Sequence, residues 1–268
     1  MNYEMQVQEC LQRIETALEA AIPEATAEPL RSAMRYALLA PGKRLRPMLL
    51  IKSYEMLSPA AEDILPFAAA MEMIHAYSLV HDDLPAMDND VLRRGRPTCH
   101  VAYGEAMAIL AGDGLLNLAY ETMLASCHPR ALQAAHAIAA QAGVHGMVGG
   151  QGLDIAFTGQ QPDKTLIERM QTGKTAALFI AAVSGGLILA GADERQLEAG
   201  AAYGLGLGRA FQIIDDLLDL NGDIAQLGKT PGKDAEYWTG YAVDALAAFG
   251  GRAGFLRETA LRALNRIR

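Results

Sequence analysis

The chain has 268 residues, 51% of them hydrophobic, which is enough for one large domain or two small ones and excludes global disorder. A formal net charge of −8 excludes nucleic acid as the main partner, because a phosphate backbone is bound by a basic field. The three cysteines, Cys10, Cys99 and Cys127, lack metal-ligand spacing and read as reduced thiols of a cytoplasmic protein. The first nine residues are polar and have no basic region ahead of an apolar run, so no secretory signal is expected. Apolar residues then recur at three- and four-residue spacing over 33–39, 64–81 and 105–125, which predicts helices. Alternating runs of β-branched residues are nearly absent, so the expected class is all-α. Residues 65–80 and 199–220 are apolar around most of a helix and belong in the middle of a bundle.

Breakers divide these segments. Pro41-Gly42 ends one helix, Pro85 interrupts another, and Gly95-Arg96-Pro97 starts a turn. Gly149-Gly150 lies in or beside a helix and permits close backbone approach, while Asn221-Gly222-Asp223 ends the last strongly apolar helix. The longest apolar stretches, such as 176–192, are punctuated by glycine or charge, so no membrane span is expected. With no internal repeat and no linker, one domain over 1–268 is the expectation.

Two acidic clusters carry the chemistry. In Asp215-Asp216-Leu217-Leu218-Asp219, the first and last acids are four apart and share one helix face, joined there by Gln212. Like charges stacked on an apolar helix repel and lose solvation, and a divalent cation relieves both penalties. Mg²⁺ suits such a site, since it takes one or two carboxylates and completes its shell with water and substrate phosphates. The first cluster, Asp82-Asp83-Leu84-Pro85-Ala86-Met87-Asp88, is broken by proline, which spreads its acids around a bulge at a helix end. A solvated helix end explains one such run; two runs embedded in apolar helix favour metal. Lys43, Arg44 and Arg46 form one cluster of cations beside Gly42, and Arg93, Arg94 and Arg96 form another just after Asp90. Both suit a diphosphate, to which arginine offers a fork and lysine a point charge. The Gly42-Lys43 run is not a nucleotide-binding P-loop, since no Ser or Thr follows the lysine and no strand precedes it.

Taken together, Gly42-Lys43-Arg44-Leu45-Arg46-Pro47, the run from His75 to Asp88, Leu92-Arg93-Arg94-Gly95 with Pro97 to His100, Gly149-Gly150-Gln151-Gly152-Leu153-Asp154, Thr172-Gly173-Lys174-Thr175 and the run from Phe211 to Asp219 resemble the trans-polyprenyl diphosphate synthase family, specifically its bacterial farnesyl type. The resemblance implies an all-α fold, a large single-domain helical bundle around a central cavity known as the isoprenoid synthase fold. It implies condensation of an allylic diphosphate with isopentenyl diphosphate by a cytoplasmic homodimer. Asp82, Asp88 and Asp215 would bind three Mg²⁺ ions, with Asp83, Asp216 and Asp219 ligating or supporting. Arg93, Lys174 and Lys229 would hold the allylic diphosphate, and Lys43, Arg46, His75 and Arg94 the isopentenyl diphosphate. Thr175 and Gln212 would line the reacting centre, Lys233 is a further phosphate candidate, and Tyr77, five residues before Asp82, would form the cavity floor that sets product length. After Asp234 the sequence departs from the family pattern, so 235–268 is expected to be atypical. A class I terpene cyclase would carry a different second metal motif, and a non-catalytic subunit often loses an aspartate cluster; this chain keeps both.

Overall fold

The structure, a computed structural model, describes residues 2–58, 64–160, 163–219 and 230–265. It is helical, as expected. Among the described residues the β structure is one two-residue ladder, β1 (Leu92–Arg93) paired antiparallel with β2 (Arg96–Pro97). Arg94 and Gly95 close it at φ of 52° and 75°, the two-residue turn whose twist suits a tight hairpin. Contacts divide the chain into two compact units, Met1–Ile51 with Ala61–Leu132, and Lys52–Ala60 with Gln133–Arg268. Two of the boundaries fall inside helices α3 (Leu45–Glu55) and α7 (Ala131–Ala142).

The first unit is built from α1 (Tyr3–Ala21), α2 (Leu30–Leu38), α4 (Leu65–Asp82), α5 (Cys99–Tyr103) and α6 (Glu105–Leu124). The Asn2 side chain caps α1 by accepting from the Met5 N–H at 2.9 Å, and Cys10, Ile14 and Leu18, four apart, form its buried stripe. Helix α4 starts with a proline in its first turn and buries residues around nearly its whole circumference, as its sequence predicts. Its main partner is α6, which offers Ala108, Ala111, Leu115 and Ala119. Gly112 matters here, because the His81 imidazole occupies the space a Cβ at 112 would need.

The second unit centres on α10 (Ala177–Leu189), apolar on all sides and almost wholly buried. Helix α11 (Glu194–Asp219) crosses it with Gly200, Gly204 and Gly208 at four-residue spacing. A Cβ on Gly204 would sit 2.7 Å from the Ile180 Cα, so the two backbones meet because this ridge lacks side chains. Helix α8 (Met147–Phe157), helix α9 (Lys164–Gln171) and a π-helical turn (Thr172–Ala176) precede α10. The continuous helical run Thr165–Leu189 is long and apolar enough to cross a membrane, unlike the sequence expectation, yet 72% of its most apolar window is buried within the protein. It is a core element.

The segment after Asp234 is helical too. Helix α12 (Thr230–Ala245), a 3₁₀ segment (Leu246–Ala253) and α13 (Gly254–Leu264) bury Ala235, Ala242, Leu246, Phe249, Leu256 and Ala260. Tyr203 of α11 donates its hydroxyl to the Leu256 carbonyl at 2.8 Å. The Asn221-Gly222-Asp223 stop lies outside the described residues.

Candidate active site

In the first unit, α4 brings the acidic cluster to its C-terminal end. Proline at 85 forbids another helical turn, and the chain folds back: the Met87 N–H donates to the Leu84 carbonyl at 2.8 Å and the Asp88 N–H to the Asp82 carbonyl at 2.9 Å. That closure places half-buried Asp82 beside exposed Asp88, although they are six residues apart. Asp83 has a different fate. It is buried and takes Arg93 by Nε at 2.7 Å and Nη2 at 2.6 Å. Burial pushes the Asp83 carboxyl upward in pKa, against the lowering from Arg93. Burial also opposes the Arg93 charge, but Asp83 and Asp90 outweigh it and its pKa rises. Arg93 reaches Asp90 as well, at 3.4 Å. The pair therefore holds Arg93 at the rim of the cluster.

The three cations of the Gly42 turn separate. Lys43 is exposed. Arg44 corrects the sequence expectation that all three face a diphosphate. Its φ of 48° turns the side chain inward, where it is 4% exposed. It pairs by Nε with Glu15 of α1 at 2.7 Å and by Nη1 with buried Glu72 of α4 at 2.8 Å. Burial opposes the Arg44 charge, and the two carboxylates raise its pKa in spite of that. Arg46 lies with Nη1 3.4 Å from His75 Nε2. A guanidinium only donates, so His75 must accept as neutral imidazole. Burial, then Arg46, Arg94, Arg93 and Arg44, hold the His75 pKa well below 6.5, which agrees.

Arg94 donates Nη1 to the Pro41 carbonyl at 2.5 Å, lying across Gly42, where a Cβ would be 2.5 Å from that nitrogen. Arg96 stacks on the Tyr36 ring at 4.5 Å, and the Tyr36 hydroxyl donates to the Pro97 carbonyl at 2.8 Å. His75, Asp83, Arg93 and Arg94 line one cavity of about 60 Å³, room for a few waters. Tyr77 is buried, edge-on to His81 at 5.8 Å, and burial, then Tyr120 and Asp82, push its pKa up to about 12. It does not line that cavity.

In the second unit, Gly150 lets the α8 backbone lie against Gly173 and Lys174: a Cβ there would meet the Lys174 nitrogen and stand 2.5 Å from the Gly173 carbonyl carbon. This is the close approach expected at Gly149-Gly150. One turn further along α8, Asp154 takes Lys174 Nζ at 2.6 Å. Asp154 was legible only as the end of a motif; its signal was an acid four residues past a close-approach glycine. The next residue, Thr175, donates to the Gln212 amide oxygen, and Gln212 Nε2 donates to Asp216 Oδ1 at 2.7 Å. Periodicity put Gln212 on the Asp215 and Asp219 face; its amide instead engages Asp216, and Asp215 is half-buried. The Asp219 side chain and Lys229 lie outside the described residues, while Lys233 is exposed on α12.

The donors of both clusters are hard carboxylate oxygens, with Asp82, Asp88 and Asp215 reachable by solvent. Among the described residues no three His, Cys, Asp or Glu side chains converge. A divalent ion here would take one or two carboxylates and fill its shell with water and phosphate oxygens, which is the habit of Mg²⁺.

Residues 27–240 match the family model for polyprenyl synthetase. The chain is 41% identical over 244 residues to the farnesyl diphosphate synthase of Escherichia coli K12, covering 88% of this chain and 82% of that one. It is 42% identical over 229 residues to geranylgeranyl pyrophosphate synthase 9, chloroplastic, of Arabidopsis thaliana, covering 82% of this chain but only 64% of the length of the plant protein. A crystal structure of an FPP/GFPP synthase from Zymomonas mobilis superposes with a TM-score of 0.90 at 36% identity, over 98% of this chain and 99% of that one.

Proposed function

Since the chain belongs to the polyprenyl synthetase family, we propose that it joins an allylic diphosphate, dimethylallyl or geranyl, to isopentenyl diphosphate and releases diphosphate, with farnesyl diphosphate as the main product. The observation that carries this reading is the end of α4, where Asp88 folds back on Asp82 beside Arg93. A carboxylate pair next to a guanidinium is the arrangement a metal-bound diphosphate needs, because its oxygens are shared between cation and fork.

Asp82, Asp88 and Asp215 would hold Mg²⁺, three ions with diphosphate bound, which supply Lewis-acid stabilisation of the leaving group. The protein's own groups do the rest. Arg93 and Lys174, neutralised by Asp83 and Asp154 at rest, exchange those partners for diphosphate oxygens. Their charges stabilise the anion that grows as the allylic C–O bond breaks. Lys43, Arg46, neutral His75 and Arg94 orient isopentenyl diphosphate so that its double bond forms the new C–C bond. Proton loss from the resulting cation, to the departed diphosphate, restores a double bond. Thr175, held by Gln212, lines the reacting centre, and Asp83, Asp216 and Asp219 would ligate or support the metal ions. Lys229 would join Arg93 and Lys174 in holding the allylic diphosphate, and Lys233 would be a further phosphate contact. Exposed apolar residues Ile109, Leu110 and Leu124 of α6 and Leu132 of α7 support a homodimer.

Purified protein incubated with dimethylallyl or geranyl diphosphate, radiolabelled isopentenyl diphosphate and Mg²⁺ should release fifteen-carbon product, read by chromatography after dephosphorylation. Absence of elongation points instead to a non-catalytic subunit, and cyclic hydrocarbon from one substrate to a cyclase.

A further inference from the structure

The second unit holds a cavity of about 700 Å³ that none of the residues assigned to prenyl transfer lines. Its walls include Gly146 and Gly149 at the start of α8, Arg169 of α9, Thr172 and Gly173 of the π-helical turn, and Arg209 of α11. The size is that of a small-molecule site. His145, Arg169 and Arg209 face it against a single carboxylate, Glu168.

Arg209 is the informative residue. It is 7% exposed, and among the described residues no carboxylate stands at ion-pair distance from it. Its Nη1 makes two long bonds, to the Glu168 carbonyl at 3.4 Å and to Thr172 Oγ1 at 3.3 Å. The guanidinium lies over the Trp238 ring at 4.7 Å, which fixes its plane. Its Nε is buried with no acceptor. A buried guanidinium with an unused donor is costly, and burial pulls its pKa downward despite Glu168 and Asp234. An oxyanion in the cavity would satisfy that donor and the charge together.

We propose that this cavity binds a small polar phosphate monoester, its phosphate held by Arg209 and Arg169 and its body by the polar rim of Gln141, Thr165 and Thr172. Two guanidiniums with His145 nearby match a tetrahedral oxyanion of charge near −2 better than a single carboxylate. The lining offers few apolar groups, Val144, Leu153 and Ala177, so a prenyl chain is a poor occupant. The proposal is independent of the assigned reaction, although Lys174 and Thr175 follow directly on two residues of the cavity wall.

Trp238 is the only tryptophan, so its emission reports on Arg209. The whole protein is titrated without Mg²⁺ with glycerol 3-phosphate and with inorganic phosphate, and with sodium chloride at matched ionic strength. Glycerol 3-phosphate should give a saturable change with half-saturation near about 1 mM, and inorganic phosphate a weaker one. Arg209→Gln and exposed Arg169→Gln should each weaken binding about tenfold or more, and Lys174→Ala should leave it unchanged. Arg169→Gln alone decides the matter if Arg209→Gln does not fold. A non-saturating response equal to that of sodium chloride, a saturable response surviving both arginine substitutions, or a response to inorganic phosphate alone overturns the assignment.

Discussion

Replacing Arg44 by Met, which keeps most of the side-chain volume, isolates the charge buried beneath the Gly42 turn. The two pairs of Arg44 should contribute very unequally. Glu15 is 46% exposed, so water takes over when the guanidinium leaves, and that pair is worth less than about 1 kcal/mol. Glu72 is 4% exposed and would be stranded as a charge inside the first unit, at a cost of about 3–5 kcal/mol. At about 1.4 kcal/mol per tenfold, the folded-to-unfolded ratio should fall between roughly a hundredfold and a few thousandfold. Adding Glu72→Gln should then recover about 2 kcal/mol or more, because the stranded charge is gone. Urea unfolding followed by far-UV circular dichroism measures all four corners of this cycle. If Arg44→Met costs less than about 1 kcal/mol, or the double variant is no more stable than the single one, the buried pair is not what anchors the turn. With the anchor lost, Lys43 and Arg46 lose their fixed placement, so KM for isopentenyl diphosphate should rise more than kcat falls.

Gly150→Ala forces a Cβ into the Gly173–Lys174 backbone, which cannot rotate aside; a loss of about 1–3 kcal/mol and at least about tenfold in kcat is expected, measured by melting and product release. Tyr77→Ala should lengthen the products, and unchanged chain length on chromatography would remove Tyr77 from the role of floor. It should also destabilise the first unit by about 3–5 kcal/mol, since a buried aromatic is lost. His75 has a folded pKa below 6.5, so as pH falls through that value the unfolded chain takes up the proton first and the wild type loses stability, by up to about 1.4 kcal/mol per pH unit; His75→Gln should flatten this part of the stability profile. Chelation by EDTA should abolish isopentenyl transfer, and Mg²⁺ should restore it.

Periodicity and breakers were sufficient for the class of fold and for most helices, because apolar spacing, proline and glycine act locally. The all-round apolar character of 65–80 reappears as the buried α4, and the Gly149-Gly150 pair as the contact with Gly173 and Lys174. The tail after Asp234 makes helices because its alanine and leucine spacing is enough to bury one face against α11.

The sequence by itself determined which acids and cations are present and which helix carries them, together with the family they resemble. It did not determine which of two adjacent like charges faces solvent and which becomes internal. Lys43 and Arg44, or Asp82 and Asp83, are neighbours of similar chemistry, and their spacing is silent about the partners waiting in space. Glu15 and Glu72, from helices far away in the chain, commit Arg44 to the interior, and Arg93 does the same to Asp83. The pairing of Lys174 with Asp154 and the cavity around Arg209 are of the same kind. Ion pairing and burial depend on distance through space, so only the tertiary structure decides them.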